Sequence, residues 1–284
     1  MRAVIAVVGL LSLAPIGEAR ADALEVPELA APPDARRWWI AVDDARVIGE
    51  DDLDASSQAL RAGVAGHDGP WTIALELGAI AYHDARAQLD GRIVSERDVS
   101  AAGATVDGAR WSGGGPARVY LRGALAVPFD GDEGDLPPSM QLRVTANPWA
   151  RRGVPSLKLA AGVRYDDQAV ALQAEAGGDL GVSSGEHASW AHGLVWLGGG
   201  AAFAPRRGVA ITLHALARWL PKASPWKRAD EGAVAGAGVS VARGRGRIGV
   251  RAEVRIDGGQ LTDDGLDPRD ALVTRVIVGY GARW

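Results

Sequence analysis

The residues best placed to do chemistry in this chain are cations in alternating register. Within 246–257, Arg247, Arg251 and Arg255 share one parity with Glu253, while Ile248, Val250, Ala252, Val254 and Ile256 share the other. A helix would scatter those arginines around its circumference, whereas an extended strand puts them on one side. The same phasing gives Arg61, Arg118, Arg122, Arg143, Lys158, Arg164, Arg218, Arg275 and Arg283 a common polar face. Fixed cations gathered on one surface attract anions, and rings of Arg and Lys are how anion and phosphate pores select.

Other chemistry is thinner. His187-Ala188-Ser189 pairs a base with a nucleophile. It resembles the His-x-Ser pair of outer-membrane lipid A deacylases and phospholipases, which would make His187 the base and Ser189 the nucleophile. In that arrangement a carboxylate or Asn on the next strand orients the imidazole. Here Gly199, Gly200 and Ala201 stand in its place, and the nearby Glu186 and Glu175 precede the pair. Asp130, Asp132, Glu133 and Asp135 offer oxygen ligands but lack the spacing of a calcium loop, and read as a solvated acidic turn rather than a metal site. His67, His83 and His214 are isolated from one another. With no cysteine in the chain, thiolate metal sites, disulfide scaffolds and Cys nucleophiles are excluded. No catalytic residue, cofactor or metal is expected.

The 284 residues carry 31 Lys plus Arg against 35 Asp plus Glu, a net charge of -4 that argues against a nucleic-acid partner. Glycine is abundant, at 38, and 10 Trp stand beside 2 Phe and 4 Tyr. Mean hydropathy is -0.01, which suits a soluble domain or a barrel with one apolar face. Residues 1–23 read as a signal peptide: Arg2, an apolar run Ala3 to Ala14, then Pro15, Gly17 and small residues around Ala21. The run is too short to cross a bilayer as a helix, and no apolar run of that length follows.

The elements that must position the cations are strands. Alternation predicts them at 37–47, 56–66, 70–82, 117–128, 140–149, 156–166, 168–178, 189–203, 207–220, 232–243, 246–257 and 272–284. Most exceed the usual five or six residues and match the roughly 9–11 of a tilted membrane-crossing strand. The stretch 83–116, rich in Gly, Asp and Arg, is expected to be one long extracellular loop, a lid, a plug or an extra hairpin.

The last strand places Val276, Val278, Tyr280, Ala282 and Trp284 on one face and stops at the aromatic residue. This resembles the C-terminal signal of bacterial outer-membrane β-barrel proteins, whose final Phe or Trp is read by the barrel assembly machinery. The resemblance implies an all-β, transmembrane, antiparallel up-and-down barrel over 24–284, with about 12 strands (10–14). Trp284 then marks the periplasmic rim. Counting back gives short periplasmic turns at 243–246, 204–208 and 166–167, and long outer connections at 258–271, 221–231 and 179–188. Segment 129–139 falls on the periplasmic side, a long turn where a short one is the rule. Trp71, Trp149, Trp219, Tyr165, Tyr280 and Trp284 lie at strand ends as a girdle would, but Trp196 does not.

Against the inward cations the phasing finds Asp43, Glu76, Glu175 and Glu253, with Asp166 and Asp257 near the rims. Unpaired guanidinium cannot be buried dry, so the interior must hold water or anions. The expectation is passive or gated, porin-like passage of small anionic or polar solutes in a Gram-negative outer membrane. Arg118, Arg122, Arg251 and Arg255 would serve as fixed charges, among outer-membrane lipids and lipopolysaccharide. The alternatives are a non-conducting envelope barrel and the His-x-Ser lipid hydrolase.

Overall fold

A computed structural model describes residues 30–31, 36–48, 56–89, 92–131, 155–167, 169–185, 188–219, 232–257, 260–262, 265–267 and 271–283. Its strands in chain order are β1 (Arg37–Ile48), β2 (Ser56–Asp68), β3 (Trp71–Leu89), β4 (Arg92–Ser112), β5 (Ala117–Gly131), β6 (Ser156–Asp166), β7 (Val170–Gly185), β8 (Ala188–Arg206), β9 (Val209–Trp219), β10 (Gly232–Arg243), β11 (Gly246–Asp257), β12 (Gln260–Thr262), β13 (Gly265–Asp267) and β14 (Ala271–Arg283). The short β12 and β13 pair only with each other, and the other strands form one closed barrel. Each barrel strand runs antiparallel to its chain neighbour, and β1 closes the ring on β14 with Arg37 opposite Arg283 and Ile48 opposite Leu272.

Alternation decides the two faces. Leu60, Val64, Leu75, Leu77, Leu121, Leu159, Leu213, Val250 and Val276 are exposed on the outside. Asp43, Arg61, Arg122, Arg164, Gln173, Glu175, Arg218, Glu253 and Arg275, on the other parity, are buried within. In hydrocarbon every backbone N–H and C=O needs an internal partner, which closure supplies, and the outer face must be apolar. Aromatic side chains collect at the end that carries Arg37 and Arg283. There Trp38 packs on Tyr280 with ring centroids 5.4 Å apart, and Trp71 and Tyr165 are exposed. Trp196 is not on that girdle, because it points inward. Trp149 and Trp284 lie outside the described residues.

One sequence expectation is corrected, and another falls outside the described residues. The stretch 83–116 is not a loop: it forms the end of β3 and the whole of β4, the two strands being paired from Trp71 opposite Arg110 to Leu89 opposite Arg92. Small residues such as Ala101, Ala102, Gly103 and Ala104 blur the apolar–polar alternation that marks a strand. The proposed strand at 140–149 lies outside the described residues, and β5 pairs directly with β6.

With β5 paired directly to β6 and no strand between them, the count back from the C-terminus loses one step, which reverses the direction assigned to 117–128. β5 therefore ends, at Gly131, on the side opposite Arg37 and Arg283, and the exception expected at 129–139 disappears. Every connection at the Arg37 end is then short: 69–70, 113–116, 167–169, 207–208 and 244–245. Positive φ at Gly69 (53°) and Gly208 (82°) supplies the left-handed backbone that such tight turns need.

β3, β4, β7 and β8 have 19, 21, 16 and 19 residues. All exceed the roughly 9–11 needed to cross a bilayer, so these hairpins rise beyond the apolar band at the far end.

Some inward glycines exist to accept a ring from the facing strand. A Cβ at Gly63 would enter the Trp39 indole, and one at Gly162 would enter the Tyr120 ring. Both pairs are directly opposite in register, Trp39 to Gly63 and Tyr120 to Gly162. Each ring thereby lies flat against the wall, where it can reach a polar partner.

Candidate functional site

The functional surface of a closed barrel is its interior. On the wall formed by β4 to β7, the Arg122 guanidinium is held between two carboxylates. It donates to Glu175 Oε1 at 2.8 Å and, through Nε, to Asp107 Oδ2 at 2.7 Å; a second nitrogen also bonds Asp107. Tyr120 Oη donates to the other Glu175 oxygen at 2.6 Å, and Gln173 Nε2 donates to Tyr120 Oη at 2.8 Å. Arg164 donates to Gln173 Oε1 at 3.1 Å and grips Asp166 with two bonds of 2.7 and 2.6 Å. Beside them the Trp111 ring lies 4.4 Å from Tyr120, and its Nε1 donates to Thr72 Oγ1 at 2.7 Å.

The chain ahead of β1 enters this network. Ala30 is 1% exposed, donates its N–H to Glu175 Oε2 at 3.0 Å and accepts from Gln173 Nε2 at 3.2 Å. β7, which carries both partners, stands across the ring from β1, with the same number of strands between them in either direction. Ala30 therefore docks on the far wall of the bore from the strand it precedes. Glu175, itself only 1% exposed, thus serves an arginine, a phenol and a backbone amide together.

A second network joins β1, β2, β3, β9, β11 and β14. Arg275 bridges Asp43 at 2.6 Å and Glu253 at 3.1 Å. Arg61 lies 3.4 Å from Asp43 and 3.5 Å from Glu76, which also accepts from Trp39 Nε1 at 3.3 Å. Glu253 Oε1 is 2.8 Å from Arg251 and 3.2 Å from His214 Nε2. Carboxylates shared in this way neutralise more than one cation each, and buried charges persist only when so paired.

The wall of β8 and β9 differs. Trp196 and Arg218 face each other across the ladder, both pointing inward, at 2% and 5% exposure. None of the three Arg218 nitrogens has a hydrogen-bond partner among the described residues, and neither has Trp196 Nε1. Lys158 Nζ sits 4.7 Å from the centre of the Trp196 ring. Leu216 and the alanines 160, 171 and 202 pack with Trp196 as an apolar floor.

The structure places the cations singled out from the sequence as follows. Arg122, Arg164, Arg251 and Arg275 are ion-paired inside, whereas Arg218 is not. Arg255 is buried inside. Arg247 donates through Nε to Ser240 Oγ at 3.2 Å, and Arg118 lies opposite Arg164 near the Arg37 end. Arg283 is at that rim. Arg143 and His187 lie outside the described residues, and Ser189, the second residue of β8, is opposite Ser184. Several of the cations expected on the inner face sit in networks around carboxylates. One of those carboxylates, Asp107, was hidden in the presumed loop. The roles of Tyr120, Gln173 and Trp196, and the docking of Ala30, depend on register, which alternation alone does not supply.

Closed, antiparallel, apolar outside and polar within, this is the architecture of bacterial outer-membrane β-barrel proteins. No family model matches the chain, and no curated protein matches it in sequence. Solved structures do share the fold. The NanC porin aligns with a TM-score of 0.53 at 9% identity, covering 86% of this chain and 100% of that one. The TodX monoaromatic hydrocarbon channel, as its deltaS2 mutant, aligns at 0.50 and 10%, covering 96% and 98%. The translocator domain of the autotransporter NalP from Neisseria meningitidis aligns at 0.51 and 11%, covering 88% and 89%.

Proposed function

We propose that the barrel gives small anionic or polar solutes passive or gated passage across the outer membrane. The carrying observation is the unequal interior. On the β8–β9 wall buried donors point inward without an acceptor among the described residues, while the facing walls are neutralised by their own carboxylates. Donors without acceptors favour a solute that brings oxygen atoms and negative charge. Among the similar folds, one is named a porin and another a channel, which is consistent with passage as the use of the bore. In this reading residues 1–23 direct export, and the Arg37 end with its short turns faces the periplasm. Tyr280 and Trp284 address the assembly machinery, and lipopolysaccharide surrounds the far rim.

A second reading is favoured by one specific observation. Ala30, docked on β7 by two hydrogen bonds, places chain inside the bore, and a barrel so filled would anchor the envelope and conduct nothing. Liposome swelling separates the two. Proteoliposomes in isotonic sodium acetate should swell faster than protein-free ones, and faster than in a neutral sugar of similar size. Swelling equal to bare lipid in both would establish the non-conducting barrel.

A further inference from the structure

We propose that Arg218, Trp196 and Lys158 form a binding subsite for an organic carboxylate on the inner wall of β6, β8 and β9. The proposal deepens the passage reading by naming the solute class, but binding at this place does not require that solute to cross.

Register makes the site. Trp196 and Arg218 are directly opposite in the β8–β9 ladder, so their Cβ atoms are about 4.5–5.5 Å apart and their side chains leave the sheet together. Both are more than nine-tenths buried. The guanidinium and the indole N–H have only donors to offer, and none of these nitrogens meets an acceptor among the described residues. Buried polar groups in proteins are almost always satisfied, so such a cluster asks for a partner that accepts only. The carboxylate on the neighbouring wall, Glu253, is already held by Arg251, Arg275 and His214 and does not serve it.

The shape of the donor set selects among anions. A guanidinium presents parallel N–H bonds that match the two oxygens of a carboxylate. The indole N–H adds a single donor beside that fork. The Lys158 ammonium, lying over the Trp196 ring, adds positive potential and holds the ring in place. The floor of Leu216 and small alanines cannot hydrate an ion but can receive the hydrocarbon part of an organic acid. Inorganic anions gain nothing from that floor.

The test is calorimetric titration of the full chain, folded in detergent micelles, at constant ionic strength. Acetate and benzoate are the probes, with benzamide as the neutral isostere and inorganic phosphate as the competing anion. Benzoate should bind saturably at one site per chain and more tightly than acetate, while benzamide and phosphate give no saturable heat. Arg218→Gln should weaken benzoate about 10- to 100-fold, the loss of a charge-assisted bond, and Trp196→Phe about 2- to 10-fold. Sheet content by circular dichroism checks each variant, and Trp196→Phe decides if Arg218→Gln does not fold. No saturable benzoate binding, equal binding by the folded variants, or preference for phosphate overturns the subsite. Saturable binding without anion flux would keep the subsite and retire the passage reading; anion flux without saturable binding would do the reverse.

Discussion

On the β4–β7 wall a buried arginine meets two carboxylates, and on the β8–β9 wall a buried arginine meets none among the described residues. Arg122 and Arg218 are the same residue type, point into the same interior and are almost equally shielded. What separates them is the neighbouring strand. β4 and β7 bring Asp107 and Glu175 to Arg122, whereas β8 and β10 bring Trp196 and Gly232 to Arg218. The first arrangement is a closed structural network that also fixes Ala30. The second leaves donors for something that is not protein. Burial alone therefore does not tell a structural cation from a binding one, but the register of its neighbours does.

The comparison breaks most visibly under parallel substitutions. Arg122→Met strips Asp107 and Glu175 of their shared cation inside the barrel, and unfolding by denaturant should show a loss of about 3–5 kcal/mol. If Arg122→Met were as stable as the parent, the β4–β7 network would not be structural. On the outer face, Leu75→Arg sets the scale for lipid, since a guanidinium near mid-bilayer costs about 2–4 kcal/mol. The same unfolding assay in bilayers checks it, and an unchanged stability would mean that Leu75 does not face hydrocarbon.

Gly162→Val sharpens the contrast from within the first wall. The added carbons meet the Tyr120 ring, push its hydroxyl from Glu175 and should cost about 1–3 kcal/mol. Smallest in stability is Arg218→Met, expected to change unfolding by less than about 1 kcal/mol or to stabilise, because it removes a buried charge that has no partner among the described residues. A loss as large as that of Arg122→Met would show that Arg218 is structural after all.

Much of this fold is written in alternation. The inward parity of Arg61, Arg122, Glu175, Glu253 and Arg275 follows from counting along each strand, because a period of two leaves no freedom once one face is apolar. β4 is the exception. Its Ala-Gly run has little polarity contrast, and Asp107 and Arg110 sit on opposite faces of a stretch too mixed to read as a strand. Missing it cost a carboxylate, while the strand expected at 140–149 inverted the direction assigned to 117–128.

The site itself was legible only as residue types. Arg218 and Lys158 stood among many inward cations. That Arg218 faces Trp196, and that Tyr120 lies over Gly162 to reach Glu175, are consequences of shear between strands, which a single sequence does not encode locally. The sequence did register Trp196 as the aromatic residue that fitted no girdle. An aromatic off the lipid interface points to the interior.

The most direct measurement is the reversal potential across a planar bilayer that contains the full chain, under a gradient of potassium chloride, for the parent and for Arg218→Gln. The account predicts an anion-preferring potential in the parent that moves toward zero in Arg218→Gln. A cation-preferring potential, or no current above bare lipid, would contradict it.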